Sequence, residues 1–148
     1  MTIRAAAGSD ECRWRELWDA YTRFYEREPV EAVTRQTWAR VLDPDYPVYA
    51  VVAERDGVVI GIANYLLQDS TSALQPGCYL QDLFVDPAVR GGGAGRALID
   101  WLWRETQERG WSSLSWQTRE TNYRARALYD SYTPHSGFLR YVLRNPVT

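Results

Sequence analysis

A glycine-rich segment between two arginines is the part of this sequence best suited to bind an anionic ligand. This glycine segment, residues 90–96, reads Arg90, Gly91, Gly92, Gly93, Ala94, Gly95 and Arg96. Successive glycines allow several backbone N–H groups to point at one ligand, and they leave open the space that a Cβ atom would occupy. A helix that begins there adds unpaired N–H groups and the positive end of its dipole. The segment therefore predicts a pyrophosphate site, to which Arg90 adds a fixed positive charge.

The glycine segment differs from the dinucleotide-binding fingerprint of a Rossmann fold. That fingerprint, Gly-x-Gly-x-x-Gly, needs an acidic residue about 20 residues further on, at the end of the next strand. Here the next predicted strand ends in Gln117 and Thr118. The glycine segment also follows the fourth predicted strand, whereas the fingerprint follows the first. A Rossmann dinucleotide site is therefore not favoured.

The composition excludes several kinds of chemistry. All 17 basic residues are arginine, so the chain can form neither a lysine Schiff base nor a Walker A phosphate loop. Its single histidine, His135, cannot build a multi-histidine zinc site. Cys12 and Cys78 fit neither a disulfide framework nor a metal site, so we expect no metal. A net charge of −2 gives no basic surface for DNA or RNA.

The sequence carries no pattern of export or membrane insertion. No basic region precedes an apolar run of signal-peptide length, and no stretch approaches 18 apolar residues. Two cysteines without a disulfide framework are typical of a reducing compartment. We therefore expect a cytoplasmic protein with no membrane partner.

The spacing of apolar residues predicts the elements that must position the glycine segment. The expected order is β-α-α-β-β-β-α-β-α-β, which indicates an α/β domain with a central mixed β-sheet flanked by helices. A chain of 148 residues has the length of one domain, so we expect a single domain over residues 1–148. The predicted elements are a strand over Ile3–Ala6, a helix after Ser9 or Asp10, a helix from near Thr34, hairpin strands over Val48–Glu54 and Val58–Leu67 joined at Asp56-Gly57, a strand over Cys78–Val85, a helix from the glycine segment to Gly110, a strand over Leu114–Thr118, a helix over Asn122–Tyr132 and a strand over Phe138–Arg144.

Together these motifs resemble the Gcn5-related N-acetyltransferase (GNAT) superfamily. Its signature, Arg/Gln-x-x-Gly-x-Gly/Ala after a strand, is matched by Arg90, Gly93 and Gly95. The resemblance implies an acyltransferase whose sheet is splayed between the fourth and fifth strands, and a homodimer. More narrowly, the chain is similar to the branch of diamine acetyltransferases and histone/polyamine acetyltransferase-like proteins. The segments that carry this second likeness are Tyr79–Val85, Trp116-x-Thr118 and Ser136–Phe138.

The resemblance also implies which residues hold acetyl-CoA. Leu83, Phe84 and Val85 would pair with the pantetheine arm as a neighbouring strand does, and the glycine segment would hold the pyrophosphate. Asn122 would hydrogen-bond the pantetheine, because an asparagine amide offers both a donor and an acceptor. Tyr129 would direct its hydroxyl at the sulfur, where a phenol with a pKa near 10 can protonate a leaving thiolate.

The general base is less well defined by the sequence. Diamine acetyltransferases carry glutamate at the position of Gln81, and an amide cannot take up a proton. Asp82 is the next candidate, but strand alternation directs it to the opposite face unless a β-bulge turns it. A chain of backbone carbonyls is another route. Further candidates, acting through water, are Glu26, Glu28, Glu31 and Glu54.

The expected reaction is acetyl transfer from acetyl-CoA to a primary amine of a small molecule, such as a polyamine, a diamine or an amino-acid-like compound, by direct attack in a ternary complex. A pocket for a cationic amine is predicted from residues that combine carboxylates with an aromatic ring, namely Tyr25, Glu26 and Glu28, together with Gln81.

His135 is expected in a loop, without a catalytic role. Two alternatives stay open: an acetyltransferase for protein lysines or N-termini, and a non-catalytic module that binds acetyl-CoA.

Overall fold

The structure, a computed structural model, describes residues 1–146 of the chain. It divides into two units, Met1–Gln117 and a C-terminal unit that begins at Thr118. None of the helices in this described part is both long and apolar enough to cross a membrane. In chain order the helices and strands are β1 Thr2–Ala5, α1 Glu11–Phe24, α2 Glu31–Leu42, β2 Val48–Arg55, β3 Val58–Gln68, β4 Gly77–Val85, α3 Ala94–Arg109, β5 Leu114–Ser115 and α4 Tyr123–Tyr129.

The N-terminal unit is built on one mixed sheet with the strand order β1-β2-β3-β4-β5. Neighbouring strands from β1 to β4 are antiparallel, and β5 pairs with β4 in parallel. The parallel pair requires a crossover, which α3 provides. The expectation of an α/β domain with a mixed sheet and flanking helices is confirmed.

A two-residue turn joins β2 to β3, as the Asp-Gly pair predicts. Asp56 and Gly57 both adopt left-handed backbone angles, with φ of 52° and 78°. Two successive positive φ values produce the twist that a short hairpin needs, and glycine adopts them without steric cost. The turn directly follows Arg55, the last residue of β2.

Aromatic residues fill the core beneath α1 and α2. Trp14 is completely buried, and its ring centroid lies 5.2 Å from that of Trp18 and 5.0 Å from that of Trp38. The steps of three and four residues between Trp14, Leu17, Trp18 and Tyr21 place these side chains on one stripe of α1. Each buried aromatic side chain removes roughly 150–250 Å² from water, so this face supplies much of the hydrophobic stabilisation.

Helix α3 covers the opposite face of the sheet. A Cβ built on Gly61 of β3 would lie 3.4 Å from Leu98 and 3.5 Å from Val85, so Gly61 faces α3. Ile62, the next residue, belongs to the core beneath α1. Because successive strand residues point to opposite faces, the sheet is covered on both sides. Leu98 and Leu102 of α3 are completely buried.

The strand predicted over Phe138–Arg144 is wrong. The described residues of this segment form no strand, and Phe138, Leu139 and Leu143 are largely exposed. Apolar and β-branched residues favour a strand only where a sheet edge is present to pair with them. The segment has the composition of a strand, but no partner strand pairs with it within residues 1–146.

Three element boundaries also differ from the sequence prediction by more than one residue. Helix α2 begins at Glu31 and not near Thr34, because the Thr34 N–H already bonds the carbonyl of Val30 and Glu31 is fixed by Arg15. Strand β5 ends at Ser115, where its pairing with β4 ends. The last helix, α4, is shorter than predicted and ends at Tyr129.

Candidate active site

The glycine segment connects β4 to α3 with backbone angles that suit glycine. Gly91 and Gly93 have φ of 86° and 83°, in the left-handed region. A Cβ added to either residue would meet no atom within 4 Å, so the space in front of both is open. Gly93 is the N-cap residue of α3, and its carbonyl accepts the N–H of Ala97 at 2.9 Å. The N–H groups of the first turn therefore have no acceptor within the helix, and they fit an anionic phosphate.

The start of the glycine segment is fixed by Asp86. Its carboxylate accepts the N–H of Ala88 at 2.9 Å and pairs with Arg13 of α1 at 2.6 Å. These contacts, the Ala88 N–H foremost, lower the pKa of the Asp86 carboxyl. The guanidinium of Arg90 lies 5.9 Å from the centroid of the Phe84 ring. The end of β4 and the glycine segment are thus held in one arrangement.

Beside the glycine segment, one edge of β4 is open. β5 pairs with β4 only at Cys78 and Tyr79, so residues 80–85 have no partner strand on that side within the described chain. The predicted splay between the fourth and fifth strands is confirmed. The backbone groups on this edge of Leu83, Phe84 and Val85 are available to pair with an extended amide ligand, as one more strand would.

A β-bulge interrupts the pairing of β4 with β3. Asn64 faces Asp82, but Tyr65 faces Leu80, so Gln81 is an extra residue without a partner in β3. A bulge lets the strand change the face to which its side chains point. Before the bulge, Leu80 shares the α3 face with Tyr65. After it, Asp82 and Asn64 share the face of α1.

The bulge places Asp82 at the end of a buried polar chain. Trp14 Nε1 donates to Asn64 Oδ1 at 3.3 Å, and Asn64 Nδ2 donates to Asp82 Oδ2 at 3.1 Å. Burial raises the pKa of the Asp82 carboxyl, while hydrogen bonds from Asn64 and Tyr21 and the charge of Arg27 act in the opposite direction. Desolvation disfavours the charged carboxylate, so Asp82 holds a proton more readily than an exposed aspartate does.

Tyr21 connects Asp82 to two other predicted site residues. Its hydroxyl lies 3.5 Å from the carbonyl oxygen of Gln81, and its ring meets that of Tyr25 edge-on at 5.1 Å. Burial, followed by the nearby Asp82 carboxylate, raises the pKa of the Tyr21 hydroxyl, which therefore stays protonated. The side chain of Gln81 is exposed and Tyr25 is half-buried, so this group reaches from the core to the surface.

The four glutamates considered as bases lie at positions that are exposed or paired with arginine. Glu26, which adopts a left-handed φ of 60°, and Glu28 are exposed in the turn after α1. Glu28 lies 3.8 Å from Arg23. Glu31 binds Arg15, which lowers the pKa of its carboxyl, and Glu54 binds Arg4 at 2.8 Å. Glu31 and Glu54 therefore serve as ion-pair partners, and neither is suited to be a base.

The C-terminal unit contains Asn122 and Tyr129 at the two ends of α4. Asn122 is its N-cap residue and donates its side-chain N–H to Thr118 Oγ1 at 3.0 Å. Tyr129 is the last residue of the helix, and its carbonyl accepts the N–H of Tyr132. His135 follows in a loop, where its Nδ1 accepts the N–H of Gly137 at 3.2 Å.

Sequence reasoning missed three residues that the structure brings to the site. Tyr21 and Asn64 were assigned no role, because an aromatic helix stripe and a lone polar residue in an apolar strand carry no chemical signature. Arg55 was missed because its contact with Gly92 joins residues 37 positions apart. A polar residue within the otherwise apolar run of β3 was the one signal that could have identified Asn64.

Comparison with known proteins agrees with this fold. Residues 13–132 match the model of the acetyltransferase (GNAT) family. The D-amino-acid N-acetyltransferase HPA3 of Saccharomyces cerevisiae is 30% identical over 131 residues, which cover 87% of this chain and 81% of that protein. The solved ribosomal-protein-alanine N-acetyltransferase from Brucella melitensis biovar Abortus 2308 is 23% identical, with a TM-score of 0.80 over 98% of this chain and 100% of its own. The aminoglycoside N-acetyltransferase AAC(6')-Iy, solved with CoA, is 20% identical, with a TM-score of 0.80 over 97% of this chain and 93% of its own.

The family assignment agrees with the local geometry. The matched region includes the open edge of β4, the glycine segment and α4. The solved structures share the fold across nearly the whole chain. The chain therefore belongs to the GNAT family and is an acetyl-CoA-dependent N-acetyltransferase.

Proposed function

We propose that the protein acetylates the primary amine of a small molecule by direct attack in a ternary complex. The observation that carries this proposal is the buried carboxyl of Asp82, which follows the bulge and lies on the open edge of β4, next to Leu83. A carboxyl with a raised pKa is a stronger base than an exposed one once it is ionised. Relatives named for D-amino acids and for aminoglycosides support a small amine as the acceptor.

In this proposal three groups of the chain act on protons and charge. Acetyl-CoA supplies the thioester acetyl group. Asp82 takes the proton that the acceptor amine loses, directly or through one water. A backbone N–H near Leu83 donates to the oxygen on which negative charge develops. Tyr129 donates its hydroxyl proton to the sulfur, as the family resemblance implies.

The remaining cofactor residues bind without changing protonation. The open edge at Leu83, Phe84 and Val85 pairs with the amides of the pantetheine arm, and Asn122 adds a side-chain hydrogen bond. The glycine segment, including Arg90 and Arg96, holds the pyrophosphate. The positive φ values and the open space at Gly91 and Gly93 support this assignment.

The acceptor pocket lies, in our proposal, at the exit of α1. Tyr25 and Gln81 are brought together there through Tyr21, and Glu26 and Glu28 follow Tyr25 directly in the chain. An aromatic ring beside carboxylates favours a cationic amine, which must then lose one proton before it attacks.

A specific observation favours amino acids within this class of acceptors. Arg27 lies close enough to favour the ionised forms of both Asp82 and Tyr21. A guanidinium at the mouth of the pocket suits the carboxylate of an amino acid, whose amine would point towards Asp82. The similarity to a D-amino-acid N-acetyltransferase supports the same choice.

A panel of acceptors tests the proposal. Release of CoA thiol is measured with polyamines, diamines, D- and L-amino acids, an aminoglycoside and a lysine-containing peptide. Release with a small amine alone is the expected result. Release with the peptide alone would favour protein acetylation, and binding of acetyl-CoA without release on any acceptor would favour a non-catalytic module.

Two neighbouring variants of opposite charge distinguish the acceptor classes. Arg27→Gln should raise KM for amino acids and leave KM for diamines unchanged, because only the former carry a carboxylate. Glu28→Gln should raise KM for diamines and polyamines, because it removes a negative charge. Both side chains are exposed, so neither change should alter the fold.

We also propose that residues 1–148 form one domain, that the protein is a homodimer and that it is cytoplasmic. The family match spans both units of the chain, which supports one domain. The exposed apolar side chains of Phe138, Leu139 and Leu143 support contact with a second copy. The free thiols of Cys12 and Cys78 support a reducing compartment. Sedimentation at several protein concentrations tests the dimer.

A further inference from the structure

The end of the β2–β3 hairpin lies against the glycine segment. Arg55, the last residue of β2, donates from Nη2 to the carbonyl oxygen of Gly92 at 3.0 Å. A Cβ built on Gly92 would lie 2.9 Å from both Nη1 and Nη2 of Arg55. The guanidinium therefore covers one side of Gly92, and the missing side chain at that position is what allows this close approach.

The guanidinium of Arg55 has no carboxylate partner in the part of the chain that the structure describes, and its neighbour Glu54 already pairs with Arg4. Most arginines of the helices and of β1, in contrast, form ion pairs with carboxylates. These arginines are Arg4, Arg13, Arg15, Arg23, Arg35 and Arg109. A guanidinium has five N–H donors, and the bond to Gly92 uses one of them.

The guanidinium of Arg55 lies beside the anion site at the start of α3. Gly92 lies between Gly91 and Gly93, the two residues whose open space and positive φ mark the anion site at the start of α3. A guanidinium binds phosphate oxygens through two parallel donors and carries a full positive charge, which the neutral N–H groups of a helix N-terminus and the backbone lack. Arg55 thus adds a positive charge from β2 to a site that is otherwise built by residues 90–96.

We propose that Arg55 is a phosphate-binding residue for the nucleotide end of acetyl-CoA. This inference rests on the acetyl-CoA dependence of the family and adds a residue that lies outside the family's glycine motif. Arg55 binds a cofactor phosphate with the N–H groups that remain free, while one Nη2–H group donates to the carbonyl of Gly92. The cofactor carries a pyrophosphate and a 3′-phosphate, and the experiment distinguishes them.

The test measures the dissociation constants of CoA, dephospho-CoA and pantetheine by calorimetry for the wild type, Arg55→Gln and Arg55→Lys. We expect Arg55→Gln to weaken CoA binding about 10-fold, the effect of losing one partly exposed charge-assisted hydrogen bond, and Arg55→Lys to recover part of the loss. Raising the salt concentration should weaken CoA binding to the wild type more than to Arg55→Gln. Arg35→Gln, an exposed arginine on α2, is the matched control and should bind CoA as the wild type does.

The three ligands separate the outcomes. Equal losses for CoA and dephospho-CoA, with pantetheine unchanged, assign Arg55 to the pyrophosphate. A loss for CoA alone assigns it to the 3′-phosphate. An equal loss for pantetheine would overturn the proposal, because Arg55 would then only position the loop. Unchanged CoA binding in Arg55→Gln would also overturn it, whereas a wild type that binds no CoA would instead contradict the acetyl-CoA dependence itself.

Discussion

Replacing Asp82 by asparagine separates its proposed role as a base from its role in the fold. The two side chains have nearly the same size, and Asp82 is only 8% exposed, so the packing is retained. Asn64 Nδ2 can donate to the amide oxygen of the new residue as it does to Asp82 Oδ2. The change therefore removes the titrating group and leaves the polar chain in place.

The expected loss of activity is large and the expected loss of stability is small. A positioned base contributes about 10²- to 10⁴-fold, so kcat/KM of Asp82→Asn should fall by this factor, which corresponds to about 3–5 kcal/mol of transition-state stabilisation. The hydrogen bonds that are rearranged should cost less than about 1 kcal/mol of folding free energy. A variant that melts near the wild-type temperature and is nearly inactive is the expected result.

The pH dependence gives a second, independent measurement. The pKa of Asp82 is raised in the folded state above its ordinary value of 3.8, so the folded protein binds this proton more tightly than the unfolded chain does. Its carboxyl therefore lowers stability as the pH rises from 3.8 through the folded pKa. Asp82→Asn should gain stability relative to the wild type over that interval. The rise of kcat/KM with pH that follows ionisation of Asp82 should disappear.

Asp86→Asn is the matched control, because the same change occurs four residues later with the opposite shift. The pKa of Asp86 is lowered by the Ala88 N–H and by Arg13, so its ionised form stabilises the protein above the ordinary carboxyl pKa and this contribution is lost on acidification. Asp86→Asn should cost about 1 kcal/mol at neutral pH, because it weakens the bond from the Ala88 N–H, and should keep the acidic limb of the rate profile. If Asp82→Asn keeps kcat/KM within threefold of the wild type, with chemistry rate-limiting, a backbone carbonyl or water is the proton acceptor and our assignment is wrong.

Three further predictions concern the cofactor site and the mechanism. Gly93→Glu and Gly95→Glu should each abolish the rise in melting temperature that acetyl-CoA causes, because a charged side chain fills the phosphate site; unchanged shifts in both would remove the site assignment. Tyr129→Phe should lower kcat by about 10²-fold or less while the acetyl-CoA dissociation constant stays constant, and an equal loss of binding would instead mark a structural contact. Alanine at both Cys12 and Cys78 should leave most turnover intact, since burial raises the pKa of the Cys78 thiol to about 12; intact mass spectrometry should show no acetyl adduct on the wild type without acceptor, and such an adduct would contradict direct transfer.

Features that depend on neighbouring residues in the chain were predictable from the sequence. The Asp56-Gly57 turn, the helix that follows Gly93 and the end of that helix at Gly110 all formed as expected. Each is set by the backbone freedom of glycine together with a periodic apolar pattern. The glycine segment was identified for the same reason, because its function follows from its own backbone.

Features that depend on contacts between distant segments were not predictable. The strand expected at Phe138–Arg144 required a partner edge that local sequence cannot reveal. The bulge at Gln81 depends on how β3 and β4 align, so two orientations of Asp82 are compatible with the sequence and only the structure selects one. The contact of Arg55 with Gly92 likewise depends on the fold of the whole sheet.

The bulge in β4 divides the strand into two halves whose buried side chains face different helices. The strand changes face at Gln81. The side chains of Cys78 and Leu80 must therefore fit against α3, whereas those of Asp82 and Phe84 must fit against α1. A side chain of any size can occupy the exposed position 81 without disturbing either core. Deleting that one residue would restore simple alternation, and Leu80 would still face α3 while Asp82 would still face α1, but the local bend of β4 at the bulge would be lost. Relatives that accept a different amine can therefore place a different residue at position 81, or lack it, without a loss of either core.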